Sequence, residues 1–287
     1  MAMSARRTRQ LAAVLRDVLE RSDLSRRQIA ERLDVGRNKV NAWFAETDPT
    51  PPSSEQVAAI LALLNVVGDE RDRIVHLART DEPDWLMSGP TGMNPQLALV
   101  MDCERDASAI TAWAPLVIPG LLQTSDYART IIARGNPDLS SHEIENMVMM
   151  RNARRDLLVR LKPVTLHAYI GLPAIHGGIG GRDVMVDQLN HVLDISRRDN
   201  VTIQAVDLSG DWRPAHAGQF VIYESQGLPP TVYLEHHRSG SFLDSASEVA
   251  AYQNAVQQLQ EEAMSPDRTA GLIAEVIAGA RALETTT

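Results

Sequence analysis

A single cysteine, Cys103, stands among the 287 residues. That excludes an internal disulfide, and a thiol with no second thiol nearby is a poor start for a zinc site, so a small buried apolar role is expected for it. No run of about 18 apolar residues occurs, so no segment reads as a membrane-spanning helix. The opening MAMSARRTRQ also lacks the apolar stretch of a secretory signal. The expectation is a cytoplasmic protein, on the nucleoid when bound to DNA and with no membrane association. Catalytic signatures are missing as well, with no HExxH, no paired CxxC and no GxSxG elbow. Glu235, His236 and His237 are adjacent, but the eight histidines show no metal-ligand spacing. No catalytic, metal or cofactor-binding residue is singled out, no cofactor is expected, and the chain reads as a non-enzyme.

A net charge of −9 argues at first against nucleic acid, because DNA affinity depends on cations that release condensed counterions. The distribution reverses that impression. Residues 1–45 carry +5, from ten Lys/Arg against five Asp/Glu, and residues 46–287 carry −14. A basic head is joined to an acidic body, and the length suits two domains that each bury a core.

In the head, Leu11, Val14, Leu15, Val18 and Leu19 form one stripe of an amphipathic helix. Ser25 and Gln28 have the spacing of a capping box and open a short second helix over residues 26–33. Asp34 tolerates the left-handed turn that follows. Gly36 then caps a third helix in which Val40 and Trp43 point inward, together with Ile29, Leu33 and Val35. Ala30 is small where two helices approach closely. This is the spacing of a helix-turn-helix, with the third helix as the recognition element. Arg37, Asn38, Lys39 and Asn41 face outward on it, and Arg, Lys and Asn pair well with guanine or adenine edges. These four are the candidates for base contact. Arg26 and Arg27, and the N-terminal Arg6, Arg7 and Arg9, are better placed to meet phosphates. After the loop Pro49–Pro52, Ser54 is expected to cap a fourth helix and Asp69 to start a fifth. The motif SRRQIAERLDVGRNKV, with this pair of helices behind it, resembles the XRE family of helix-turn-helix regulators.

The stretch DEPDWLMSGPTGMNP, rich in proline and glycine, marks a linker over 81–95, between a head at 5–80 and a body at 96–283. A long helix is predicted from Leu97 to Ile110 along Leu97, Val100, Met101, Glu104, Ala107 and Ile110. Glu104 on that apolar stripe calls for a buried partner, and Arg151 or Arg154 fits. PGLLQT reads as a turn, two core leucines and a cap, Thr124, for the next helix. Residues 140–161 look helical. Four short strands are predicted, at Val164–Ile170, Val201–Val206, Gln219–Tyr223 and Thr231–Leu234. The helix Val184–Ser196 makes the first two parallel neighbours, and the last two form a hairpin-like pair. Ser245 with Glu248 caps a helix, and Ser265-Pro266 opens the last one. The fold class is thus a two-domain chain: an all-α, five-helix helix-turn-helix head, then an α/β (α+β) domain with about four strands and a helical C-terminus. The loop Gly177, Gly178, Ile179, Gly180, Gly181, following His176 and preceding a helix, could present amides to a phosphate, although it lacks the lysine and Ser/Thr of a P-loop; a flexible strand-to-helix connection is the favoured account of it.

WAPLVIPGLLQTSDYAR, RNARRDLL, GRDVMVDQLNHVLDIS and VYLEH together resemble the body of WhiJ-like actinomycete regulators, over nearly all of residues 95–283. The chain departs from that pattern at Leu172, where an acidic residue is usual, and at Arg155, where a glutamine is. The resemblance implies an antitoxin-like domain and a small companion protein of the BldB-like type from a neighbouring gene. Three readings follow. The first is a DNA-binding transcriptional regulator acting on double-stranded DNA as a homodimer, with a body that responds to the companion or to a small effector. The second is an antitoxin-like protein whose main task is to bind its partner, with DNA binding serving autoregulation. The third, an enzyme fused to a DNA-binding head, is the weakest.

Overall fold

Two helix starts in the head are fixed by side chains three residues apart. The computed structural model describes residues 5–46, 49–78, 95–227, 229–236 and 240–282, in two units, Met1–Leu86 and Met87–Thr287. The expected linker at 81–95 lies, apart from Pro95, outside the described residues.

In the head, α1 (Ala5–Glu20) buries Leu11, Leu15 and Val18. Before α2 (Arg26–Arg32), the Ser25 hydroxyl accepts from the Gln28 amide at 3.3 Å, and the Gln28 side chain accepts from the Ser25 amide at 2.8 Å, the predicted capping box. Asp34 turns the chain in the left-handed region, with φ of 52°, and Gly36 precedes α3 (Arg37–Trp43). Ile29, Ala30, Val40 and Trp43 are buried, whereas Leu33 and Val35 are half-buried. The helix α4 (Ser54–Leu63) starts one residue earlier than expected. Ser53, not Ser54, is its cap, because the reciprocal bond needs a glutamine three positions on and Gln56 supplies it. The helix α5 (Gly68–Ala78) buries Ile74 and Leu77 and closes the unit.

The body is built on one six-stranded sheet rather than four strands. Its elements are α6 (Pro95–Asp106), β1 (Ala107–Ala114), α7 (Ser125–Gly135), α8 (Ser141–Ala153), β2 (Thr165–Gly171), α9 (Leu172–His176), α10 (Arg182–Ile195), β3 (Val201–Val206), β4 (Phe220–Ser225), β5 (Thr231–Glu235), β6 (Gly240–Leu243), α11 (Ala246–Glu262) and α12 (Pro266–Ala282). The strand order is β3-β2-β1-β4-β5-β6. β1, β2 and β3 are parallel, and α10 is the predicted crossover between the last two. β4, β5 and β6 continue as an antiparallel meander from β1, the expected pairing of β4 with β5 included.

The two additional strands correct the sequence reading. The helix expected to run to Ile110 stops at Asp106, and Ala107–Ala114 is the central strand of the sheet. Ala107 and Ile110 have the three-residue spacing of one helix face, and a register shift between Ala107 and Ala109 lets both reach the same core from the strand, so the apolar stripe ran unbroken across the boundary. β6 is four residues long and half-buried, below the length at which alternation is visible.

One face of the sheet lies under α6, α7, α10 and α12. Its core holds Cys103, Ile110, Tyr127, Leu166, Ile170, Leu189, Ile203, Tyr223, Tyr233 and Ile273. The other face packs Trp113, Tyr169, Val206, Phe220, Ile222 and Val232 against Val249, Ala255 and Leu259 of α11. Thr124 caps α7 and Ser245 caps α11, as expected, and α12 starts at Pro266. Leu121 and Leu122 of PGLLQT are buried.

Candidate nucleic-acid interface

The inner side of α3 is set by Val40 and Trp43, which are 0% and 1% exposed. With 3.6 residues per turn, this directs Arg37, Asn38, Lys39 and Asn41 to the outside, and all four are exposed. Two of them already have neighbours. Lys39 Nζ lies 5.8 Å from the Trp43 ring centroid, a cation–π approach along the flank of the helix. Arg37 reaches Glu31 at 3.4 Å.

Of the candidate phosphate ligands, Arg27 donates from Nε to Glu31 at 2.9 Å, and Arg26 lies over the Phe44 ring at 5.6 Å. Glu31 therefore gathers one arginine from each helix of the motif, and its pKa is held below the usual carboxylate range, first by the hydrogen bond from Arg27. Sequence reasoning missed this carboxylate, although its position four residues after Arg27 is the signal. Arg6, Arg7 and Arg9 fall within α1, but their side chains lie outside the described residues. Phe44 is fully buried, and Arg16 donates to the Ala45 carbonyl at 2.6 Å, which pins the chain as it leaves α3.

In the body, Gly178, Gly180 and Gly181 line an open depression of about 960 Å³ together with Arg129, Thr130, Arg134 and Ile179. Gly177 lies at its edge in sequence, against the Pro173 carbonyl. The backbone itself requires glycine here. Gly180 and Gly181 have φ of +81° and +88°, and a Cβ at Gly180 would meet Val184 at 2.6 Å. Arg129 is already tied to Glu145 and Asp126, which hold its pKa above the ordinary arginine value.

A second polar group lies on the α6 side of the sheet. Glu104, 2% exposed, takes a bidentate pair from Arg154 at 2.8 and 2.6 Å. One turn earlier on α8, Arg151 donates to the side-chain oxygen of Gln123 at 2.8 Å, and the Gln123 amide donates to the Ile118 carbonyl. Of the two partners open to Glu104, the structure selects Arg154.

Residues 10–74 match the family model described as a helix-turn-helix domain, and residues 97–275 match the one described as a domain of unknown function, DUF5753. No curated protein and no solved structure matches the chain.

Proposed function

We propose that this chain, which belongs to the DUF5753 family over residues 97–275 and carries a helix-turn-helix head, is a sequence-specific DNA-binding transcriptional regulator. The observation that carries the reading is the two-sided third helix. Val40 and Trp43 lock one side into the core and leave Arg37, Asn38, Lys39 and Asn41 projecting outward, the arrangement in which a recognition helix enters the major groove. Arg26 and Arg27 at the start of α2 meet the backbone phosphates. Helix-turn-helix heads commonly read two half-sites as dimers, and a homodimer is proposed on that ground. The acidic body supplies dimerisation and the response to a signal, either a small effector or a companion protein of the BldB-like type. Its gathered polar groups, Glu104 with Arg154 and Gln123 with Arg151, are paired with one another, which supports a binding role, and no catalytic step is assigned to it.

Selection of bound sequences from a randomised duplex tests the reading. Wild type is expected to enrich one motif, and Asn38→Ala to lose preference at one position with ~1–3 kcal/mol of discrimination. Enrichment of an identical motif by the variant removes Asn38 from the base-reading set. Arg26→Ala is expected to weaken binding to every duplex and to reduce the slope of log K against log salt by about one unit. An unaltered slope assigns Arg26 to Phe44 alone.

A further inference from the structure

The buried charges around α8 do not balance. Among the described residues, Glu104 is the carboxylate buried in this cluster, and Arg154 occupies both its oxygens. Arg151 lies one helical turn away with a neutral amide oxygen as its hydrogen-bond partner and is half-buried rather than sealed, which leaves the rest of its fork of donors to water or a ligand. Burial, followed by repulsion from Arg154, lowers its pKa, and attraction from Glu235 and Glu104 does not make up the difference. Glu235, at the end of β5, is exposed and hydrogen-bonded by Gln219. The turn Pro119–Gln123 closes over the arginines. Gly120 lies beside them, and a Cβ there would be in van der Waals contact with Arg154 Nη2, at 3.4 Å. Tyr223 lies on the same sheet face, its hydroxyl kept neutral by burial and by the charge of Glu104.

We propose that Arg151 and Arg154, backed by Glu104 and Gln123 under the Pro119–Gln123 turn, form a receptor for a small oxyanion, the carboxylate or phosphate of an effector molecule. Each element has a physical role. Glu104 holds Arg154 in one orientation, Gln123 aims Arg151, and the surplus positive charge supplies attraction in a partly desolvated site. A guanidinium fork matches a two-oxygen anion edge to edge. A residue retained for binding rather than packing carries a signature: removing its charge stabilises the empty protein.

The test uses the full chain, melted in sodium chloride, sodium acetate and sodium phosphate at equal ionic strength. Wild-type Tm is expected to rise by about 5–10 °C in acetate or phosphate, relative to chloride, near a hundred-fold excess over Kd. The anion that raises it identifies the ligand as carboxylate or phosphate. Arg151→Met is expected to melt at or above the wild-type temperature in chloride and to show no further rise with either anion. Arg134→Met, at the glycine-lined depression, should keep the wild-type response. The proposal fails if neither anion raises the wild-type Tm. It fails equally if Arg151→Met keeps the rise, the behaviour of a general salt effect, or if Arg151→Met melts below wild type in chloride, the behaviour of an arginine that serves packing alone.

Discussion

Glu104→Ala is expected to cost roughly 3–5 kcal/mol of stability, because it leaves the Arg154 guanidinium buried without its counter-charge. The two side chains are 2% and 12% exposed, so water cannot take over the role of the carboxylate without opening the contact between α6 and the end of α8. The loss is compounded by Arg151, which would then face Arg154 with no buried negative charge between them. Urea unfolding should show the midpoint falling by about 2 M at an unchanged slope near 2 kcal/mol per molar.

The double variant separates a pair that stabilises from a pair that merely must not be broken. Taking two charges out of water is itself costly, so Glu104→Met with Arg154→Met is expected to recover to within about 1 kcal/mol of wild type or to exceed it. A double variant as unstable as Glu104→Ala would show instead that the contact itself, with its two short hydrogen bonds, outweighs the desolvation of its members. A single variant that loses less than about 1 kcal/mol would remove the premise of a closed, low-dielectric pair.

The same residues show what was legible in the sequence. Glu104 on an apolar stripe announced a buried carboxylate, and arginines fifty residues away were its only named partners. Which arginine it takes is a matter of tertiary distance that helix periodicity cannot order. Local chemistry was readable wherever the partners are three residues apart, as at Ser25 with Gln28 and at Thr124 with the Tyr127 amide. It misplaced one cap by a residue, since Ser53 and Ser54 both look suitable until Gln56 selects between them. The central strand β1 was hidden because Ala107, Ala109, Ala112 and Ala114 give little contrast between its faces, and its burial comes from neighbours on both sides of the sheet. In the head, the outward residues of α3 followed from Val40 and Trp43. The pairing of Glu31 with Arg27 follows a spacing of four that the sequence shows, whereas its reach to Arg37, which joins two helices, is visible only in the fold.

Trp43→Ala is expected to cost roughly 3–5 kcal/mol, the loss from emptying the space of a buried indole. The head is a small unit, and a domain of its size holds only ~4–11 kcal/mol in total at about 0.05–0.15 kcal/mol per residue. The residue sits at the end of α3, next to Phe44, which is itself fully buried, and opposite the face that carries Asn38 and Asn41. Removing it therefore loosens the platform rather than the reading surface. DNA affinity should fall for all sequences together, unlike Asn38→Ala, which changes preference at one position. Trp43→Phe keeps most of the apolar volume and the aromatic face near Lys39, and is expected to retain specific binding with a smaller loss of stability. Urea unfolding of both variants beside duplex titrations checks the ordering. If Trp43→Ala binds its duplex with wild-type affinity, the third helix does not depend on this anchor, and the assignment of its outward residues loses its structural basis.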